Sequence, residues 1–285
     1  MRGSTLIWET QEKSSLKDRD PADTFGFRDK REAKDKLAAD IAALSDLQDV
    51  LAAGAALGML VVFQGMDGAG KDSAIKHVMS GVNPQGVSVH SFRPPSEEEL
   101  RHDYLWRAAG RLPERGRIGI FNRSYYEDVI VVRVHPELLA PAFAAQGETL
   151  WKQRFRQINE FERYLVENGI VVLKFYFNLS RKEQAKRLLA RLEKPSKHWK
   201  FSPSDVKQRE SWGRYMKVYE DALNATSTQW APWYVVPADH KWVAHLAIAD
   251  VLVRRLRALK LEYPKVPANL RRPLRAWRRQ LEREI

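Results

Sequence analysis

The sequence predicts an α/β fold, a parallel sheet covered by helices on both faces, and three observations predict it. Short apolar runs alternate with longer segments of helical period along most of the chain. One run, Ile170 to Leu179, is near-continuously apolar with a single Lys, as in a strand buried on both sides. Another, Leu60 to Phe63, breaks at Gly65 into a glycine-rich turn that leads into a helix.

Residues Met1 to Phe27 are polar and aperiodic and read as an arm lying over the domain or partly disordered. From Arg28 to Ala53, Leu37, Ile41, Leu44, Leu47 and Leu51 recur at threes and fours, so a helix leads into the first strand. Ala74 to Met79 begins the next helix. A turn cluster at 81–86 precedes a second strand, Val87 to Phe92. Ser96 and Glu99 form a capping box for a helix running on through Trp106 to Ala109. Ile118 to Phe121 is a third strand, and Pro136 to Ala145 a short helix or irregular connection. Thr149 to Asn168 is helical, with Phe155, Ile158, Phe161, Leu165 and Val166 on one face, and Gly169 ends it. After the Ile170 strand, Ser180 caps a helix over Arg181 to Leu192. Asp205 to Ala225 is helical, and its stripe Trp212, Tyr215, Met216, Tyr219 reads as core. Ala231 to Val236 is the last strand, and Asp239 caps a helix over Lys241 to Leu261. No repeat and no linker divides the chain. The expected organisation is an arm over 1–34, one domain over 35–262 with a lid inserted at about 181–205, and a basic tail over 263–285.

Composition bounds the function. The 285 residues can bury a substantial core, and the absence of Cys excludes disulfides and thiolate metal sites. No apolar run approaches the ~18 residues of a membrane span, and the start lacks a secretory pattern. A cytoplasmic protein is expected by default. The formal charge of +12 calls for an anionic partner: nucleic acid, a membrane surface or a phosphate-rich substrate.

The turn after the first strand shows which. Gly65, Gly70 and Lys71 fit the phosphate-binding pattern G-x-x-x-x-G-K-[ST], with Gly68 and Ala69 inside the loop. Glycines let backbone N–H groups turn toward phosphate oxygens, and a helix N-terminus and Lys71 add positive charge. Asp72 stands where a hydroxyl residue is usual, as a phosphate-site residue or a helix cap. Asp67 puts a carboxylate inside the loop, as a metal ligand, as a base, or as a turn residue binding nearby N–H groups. Glu127 and Asp128, after the third strand, are further metal-ligand candidates. Arg93 and Arg123 follow the second and third strands at the carboxyl edge, where ligands bind in open α/β sheets. Arg107 and Arg133 lie further on as additional phosphate forks. Tyr125, Tyr126 and Trp106 suit either a base or the core. Arg187, Arg191, Lys194, Lys197 and Lys200 fall in a basic segment where Lys194–Phe201 interrupts the helix with a basic and aromatic loop; it reads as a lid able to close over a polyanion or as plain solvated surface. The arginines after Pro264 (Arg271, Arg272, Arg275, Arg278, Arg279 and Arg283) read as a solvated tail or partner-binding helix.

Several stretches in one order resemble the family-2 polyphosphate kinases: G-M-D-G-A-G-K-D at 65–72, N-P-Q-G-V at 83–87, D-Y-L-W-R at 103–107, F-N-R-S-Y-Y-E-D-V at 121–129, K-H-W-K-F at 197–201 and A-P-W-Y-V-V-P-A-D at 231–239. The resemblance spans about Leu37 to Leu261. It implies a three-layer α/β/α P-loop kinase fold like thymidylate kinase, with a helical lid insertion. It implies phosphoryl transfer between inorganic polyphosphate and AMP or ADP, with guanine nucleotides as further acceptors. Mg²⁺ is the implied cofactor, with Mn²⁺ as a substitute. Asp67 would bind the metal and help activate the acceptor, alongside Lys71 and Arg123, and the lid would grip polyphosphate. One departure is Asn122, where many members have Asp; it shifts weight to Glu127 or Asp128. The N-R-S-x-Y-E-D-V form resembles the branch acting on AMP as well as ADP. Polyphosphate as partner accounts for the charge without nucleic acid or membrane, and a homo-oligomer is expected. The competing readings are an ATP-dependent nucleoside or nucleotide kinase of the same fold, and a nucleic-acid-binding P-loop protein, for which no helix-turn-helix, zinc or RNP pattern exists.

Overall fold

The computed structural model describes residues 6–8 and 14–285, apart from the side chain of residue 272. Part of the expected arm, residues 1–5 and 9–13, lies outside the described residues, as does the Arg272 side chain of the expected tail. In chain order the elements are α1 (Lys30–Gly54), β1 (Gly58–Gln64), α2 (Lys71–Val78), β2 (Val87–Ser91), α3 (Glu97–Leu100), α4 (Trp106–Ala109), β3 (Ile118–Asn122), α5 (Glu127–Val134), α6 (Pro141–Ala144), α7 (Glu148–Glu167), β4 (Ile170–Asn178), α8 (Arg181–Glu193), α9 (Pro203–Gln208), α10 (Trp212–Thr226), β5 (Trp233–Pro237), α11 (Lys241–Ala258) and α12 (Ala268–Leu281).

All five strands are parallel, in the order β2-β3-β1-β4-β5. Side chains alternate across a strand, so β1 feeds two cores. Met59, Val61 and Phe63 pack toward α1, α2 and α11, and Leu60 and Val62 toward α5, α7 and α10. Both faces are therefore dry, which explains why β1 and β4 read as unbroken apolar runs. Tyr215 and Tyr219 are buried, as the stripe on α10 predicted. Leu6 and Trp8 are buried too. Ile7 bridges Tyr234 antiparallel, and the Trp8 amide donates to the Trp233 carbonyl at 2.8 Å. This part of the arm covers the outer edge of β5.

Three local expectations are corrected. The helix opened by Ser96 stops after one turn. Its capping box is present, but the Asp103 carboxylate accepts from the Leu105 amide at 2.9 Å and turns the chain before α4 starts. The expected helix over 205–225 is divided into α9, a 3₁₀ turn at Arg209–Ser211, and α10. Arg209 anchors that turn to α8 through the Arg181 carbonyl and Gln184. Asp239 does not cap α11. Its carboxylate accepts from the Ser180 amide at 2.7 Å, joining the end of β5 to the start of α8. The tail forms α12, which leaves Leu270, Leu274, Trp277 and Leu281 exposed along one line. Among the described residues, no helix is long and apolar enough to cross a membrane.

Candidate active site

The loop between β1 and α2 sits at the carboxyl edge of the sheet. Gly65, Gly68 and Gly70 all have positive φ, at 146°, 83° and 106°. Gly65 is further restricted because a Cβ there would meet the backbone and Cβ of Phe177 at 3.0 Å. Gly70 is the N-cap of α2 and supplies no side chain, so the first-turn amides are left for a ligand. Lys71 folds back into the loop, and its ammonium donates to the carbonyls of Gly65 at 2.7 Å and Met66 at 3.3 Å. Burial, reinforced by the Arg123 charge, pushes Lys71 down to about 8.

Arg123 follows β3 with φ of 63°, a left-handed conformation that costs a non-glycine residue about 1–2 kcal/mol. Its guanidinium bridges two carboxylates, Asp67 in the loop and Glu127 at 2.9 Å. Glu127 and Asp67 outweigh burial and hold the guanidinium firmly charged. Burial pushes the Asp67 carboxyl up, but Arg123 and Lys71 outweigh it and keep the pKa below the ordinary carboxylate value. Asn122 donates to Asp72 at 2.7 Å. This explains the departure at 122: an aspartate there would set two carboxylates against each other.

A cavity of about 560 Å³ opens over the loop, walled on one side by the sheet edge and on the other by α8 and the 3₁₀ turn Pro195–Lys200. Its lining brings together eight cations (Lys71, Arg93, Arg123, Arg187, Arg191, Lys197, Lys200 and Lys241) and two carboxylates (Asp67 and Asp72), a net of +6 by subtraction. Lys241 escaped the sequence reading, although its place just after β5, at the carboxyl end of a parallel strand, was a usable signal. Burial and the nearby charges of Arg187 and Lys197 push its ammonium down. Gln184, also missed, donates to the Asp67 carbonyl at 2.8 Å. It had no signal beyond lying three residues before Arg187.

Other expected site residues are placed elsewhere. Arg187 lines the cavity, but all five of its N–H groups are taken. They go to Glu183, the Gly68 and Ala69 carbonyls, and the Ala238 and Asp239 carbonyls. It braces the loop against α8 and β5, and has no donor to spare for polyphosphate. Arg191 pairs with Asp205 at 2.8 Å and remains on the wall. Lys194 is exposed and outside the lining. Arg133 is drawn to Asp221 at 2.9 Å and Glu148 at 3.1 Å, in a different cavity from the loop. Tyr125 and Tyr126 are fully buried and cannot stack on a base, while Trp106 stacks on His102 at 4.0 Å.

Asp128 and Arg107 also leave the phosphate cleft. They line a second cavity of about 330 Å³ with Tyr104, Phe143, Arg154 and Gln157. Burial pushes the Asp128 carboxyl up to about 6 against the opposing pull of Arg107 and Arg154. Arg107 connects the two spaces: it donates to the Arg93 carbonyl at 2.8 Å and lies over Phe92, whose ring lines the first cavity.

A hard divalent cation takes oxygen ligands, often one or two carboxylates completed by substrate phosphates. Among the described residues no group of three His, Cys, Asp or Glu forms a cation cage, so a metal at this cleft would be shared with substrate. Asp67, on the lining, fits that donor set; Glu127 is joined to it through Arg123 but does not line the cleft, and Asp128 lies in the second cavity.

The sequence profile of the polyphosphate kinase 2 family matches residues 27–264. An ADP-polyphosphate phosphotransferase of Rhodopseudomonas palustris is 46% identical over 259 residues, 90% of each chain. An AMP/ADP-polyphosphate phosphotransferase of Meiothermus ruber is 45% identical over 251 residues, 88% of this chain and 91% of that one. The crystal structure of a polyphosphate kinase 2 from Arthrobacter aurescens superposes with a TM-score of 0.86 at 39% identity, covering 95% of both chains. With the glycine loop, the parallel sheet and the cation-lined cleft in that company, the chain belongs to the polyphosphate kinase 2 family.

Proposed function

We propose that this chain moves a phosphoryl group from inorganic polyphosphate to AMP or ADP, forming ADP or ATP, with Mg²⁺ as cofactor. One observation carries the reading: a net of +6 on the walls of a single cleft, with cations on both the loop side and the lid side. Such an excess suits a long polyanion better than one nucleotide.

The acceptor's terminal phosphate has a second pKa of about 6 and is ionised at neutral pH, so its attack needs no general base. This suits Asp67, whose lowered pKa makes it a poor proton acceptor and a good metal ligand. An acceptor oxygen forms a bond to the terminal phosphorus of the chain while the bridging P–O bond breaks. The shortened polyphosphate leaves with that electron pair. What the reaction needs is alignment and charge neutralisation. Lys71 and the α2 amides hold phosphate oxygens, Arg123 meets the transferring group, and α8 with Lys197 and Lys200 holds the donor chain. Asp67, with Glu127 beside it across Arg123, would hold Mg²⁺, which would supply further charge neutralisation. The second cavity, reached past Arg107, offers aromatic and polar walls for the acceptor's nucleoside.

The test is incubation of the chain with polyphosphate, Mg²⁺ and AMP, ADP or GDP separately, with ATP as the donor in a parallel arm. Formation of ADP or ATP from polyphosphate, and none of ADP from AMP with ATP alone, is expected. Transfer from ATP without polyphosphate would identify a nucleotide kinase instead.

A further inference from the structure

Behind Arg123, on the face of the sheet away from the loop, lies a charged cluster that phosphate binding does not use. Lys174, the single lysine of β4, and Glu162 of α7 are both fully buried and meet at 2.6 Å. Every proton of the ammonium has an acceptor: Glu162, the Tyr126 hydroxyl at 3.0 Å and the Thr226 carbonyl at 2.7 Å. The other Glu162 oxygen accepts from the hydroxyls of Tyr125 at 2.8 Å and Tyr126 at 2.9 Å. The Tyr126 and Trp233 rings face the ammonium, with centroids at 5.5 and 5.1 Å.

Stability alone does not account for such a pair. Replacing a buried ion pair with apolar side chains of similar size is often neutral or stabilising. A closed polar network does fix geometry, because each member has one satisfied arrangement. The geometry fixed here is the segment directly after Arg123. Tyr125 and Tyr126 are its second and third successors. On the other side, the Arg123 amide is tied to the Phe63 carbonyl at 2.9 Å, and Ser124 accepts from Gln64 at 3.1 Å and from the Tyr126 amide at 3.2 Å. A left-handed arginine is thus gripped from both ends. Relaxing it would swing the guanidinium away from Asp67 and Glu127.

We infer that Lys174, Glu162 and the hydroxyls of Tyr125 and Tyr126 are positioning residues: from the core they hold Arg123 in the left-handed conformation that aims its guanidinium at the transferring phosphoryl group. The inference rests on the proposed transfer reaction. Turnover of the unaltered chain is measured first and tests that reaction by itself.

The experiment is a Tyr125→Phe/Tyr126→Phe double variant of the full chain, which keeps both rings and removes only the hydroxyls. With polyphosphate and ADP, kcat should fall about 30-fold while both KM values stay within about threefold, as for a misaligned catalytic group. Introduced into Arg123→Ala, the same two changes should lower kcat less than about twofold further, because they act through Arg123. A second variant adds Lys174→Met/Glu162→Leu to the two Phe changes, so that no buried hydroxyl loses its acceptor; it should stay folded and still lose kcat about 30-fold. A kcat within about twofold of the unaltered chain in either folded variant overturns the inference. So does a hydroxyl effect equally large with and without Arg123.

Discussion

The two walls of the phosphate cleft carry charge of the same sign and hold it in opposite ways. On the sheet wall, Lys71 is 7% exposed and bonded to loop carbonyls, and Arg123 is locked between Asp67 and Glu127. On the lid wall, Lys197 and Lys200 are exposed and, among the described residues, in no ion pair. Arg187 marks the border, since its guanidinium ties the first half of α8 to the loop. Cations fixed by partners can align a reacting phosphorus to within a fraction of an ångström. Cations on exposed stems can follow a flexible polymer whose repeat units are all alike. In the proposed reaction the sheet wall would align the reacting groups and the wall of α8 and the 3₁₀ turn would capture the donor chain.

The largest effect should come from the sheet wall. Lys71→Ala should lower kcat/KM by about 10³-fold or more with the fold intact by circular dichroism, because the charge is lost from a preorganised, water-poor site. Near-normal turnover would erase the distinction between the walls. A smaller effect is expected at the lid. Lys197→Ala/Lys200→Ala should raise KM for long polyphosphate about tenfold, leave KM for ADP within about twofold, and weaken the salt dependence of donor binding. Equal losses for both substrates would mean that the lid aligns as well as captures. The smallest effect is a pH response. Lys71 loses its proton near pH 8 in the free protein, because burial and Arg123 disfavour the charged form. Its positive charge is therefore present below about 8 and lost above. KM for polyphosphate should rise a few-fold between about pH 7 and 9, with the unaltered slope disappearing in Lys71→Ala.

The same contrast governs what was legible in the sequence. The glycine loop, Lys71, Arg123 and the parallel sheet were readable because backbone geometry and strand order place them. Lid residues were readable only as a charged segment. Periodicity gives a helical face, and it cannot say where a long side chain turns. Arg187 was expected to grip the substrate and instead grips carbonyls; Arg133 was expected at the cleft and is captured by Asp221 and Glu148. Glu127 and Asp128 are neighbours at the start of α5, yet Glu127 turns to Arg123 and Asp128 to the second cavity. Lys174 showed in the sequence as one charge in an apolar run, but its partner is contributed by a different element, α7, across the core. Such pairings depend on tertiary packing, which no local pattern encodes.

The covered edge of β5 has a consequence for how molecules of this protein behave toward one another. A parallel sheet ends in strands whose outer N–H and C=O groups can template a foreign strand. Here Ile7 and Trp8 occupy that position at β5, with the Trp8 indole held by Asn224 at 2.9 Å and its carbonyl by Ser227 at 2.8 Å. These two residues thus occupy edge groups that would otherwise be open to a foreign strand. Shortening the chain past Trp8 would change its colloidal behaviour before it changed its chemistry.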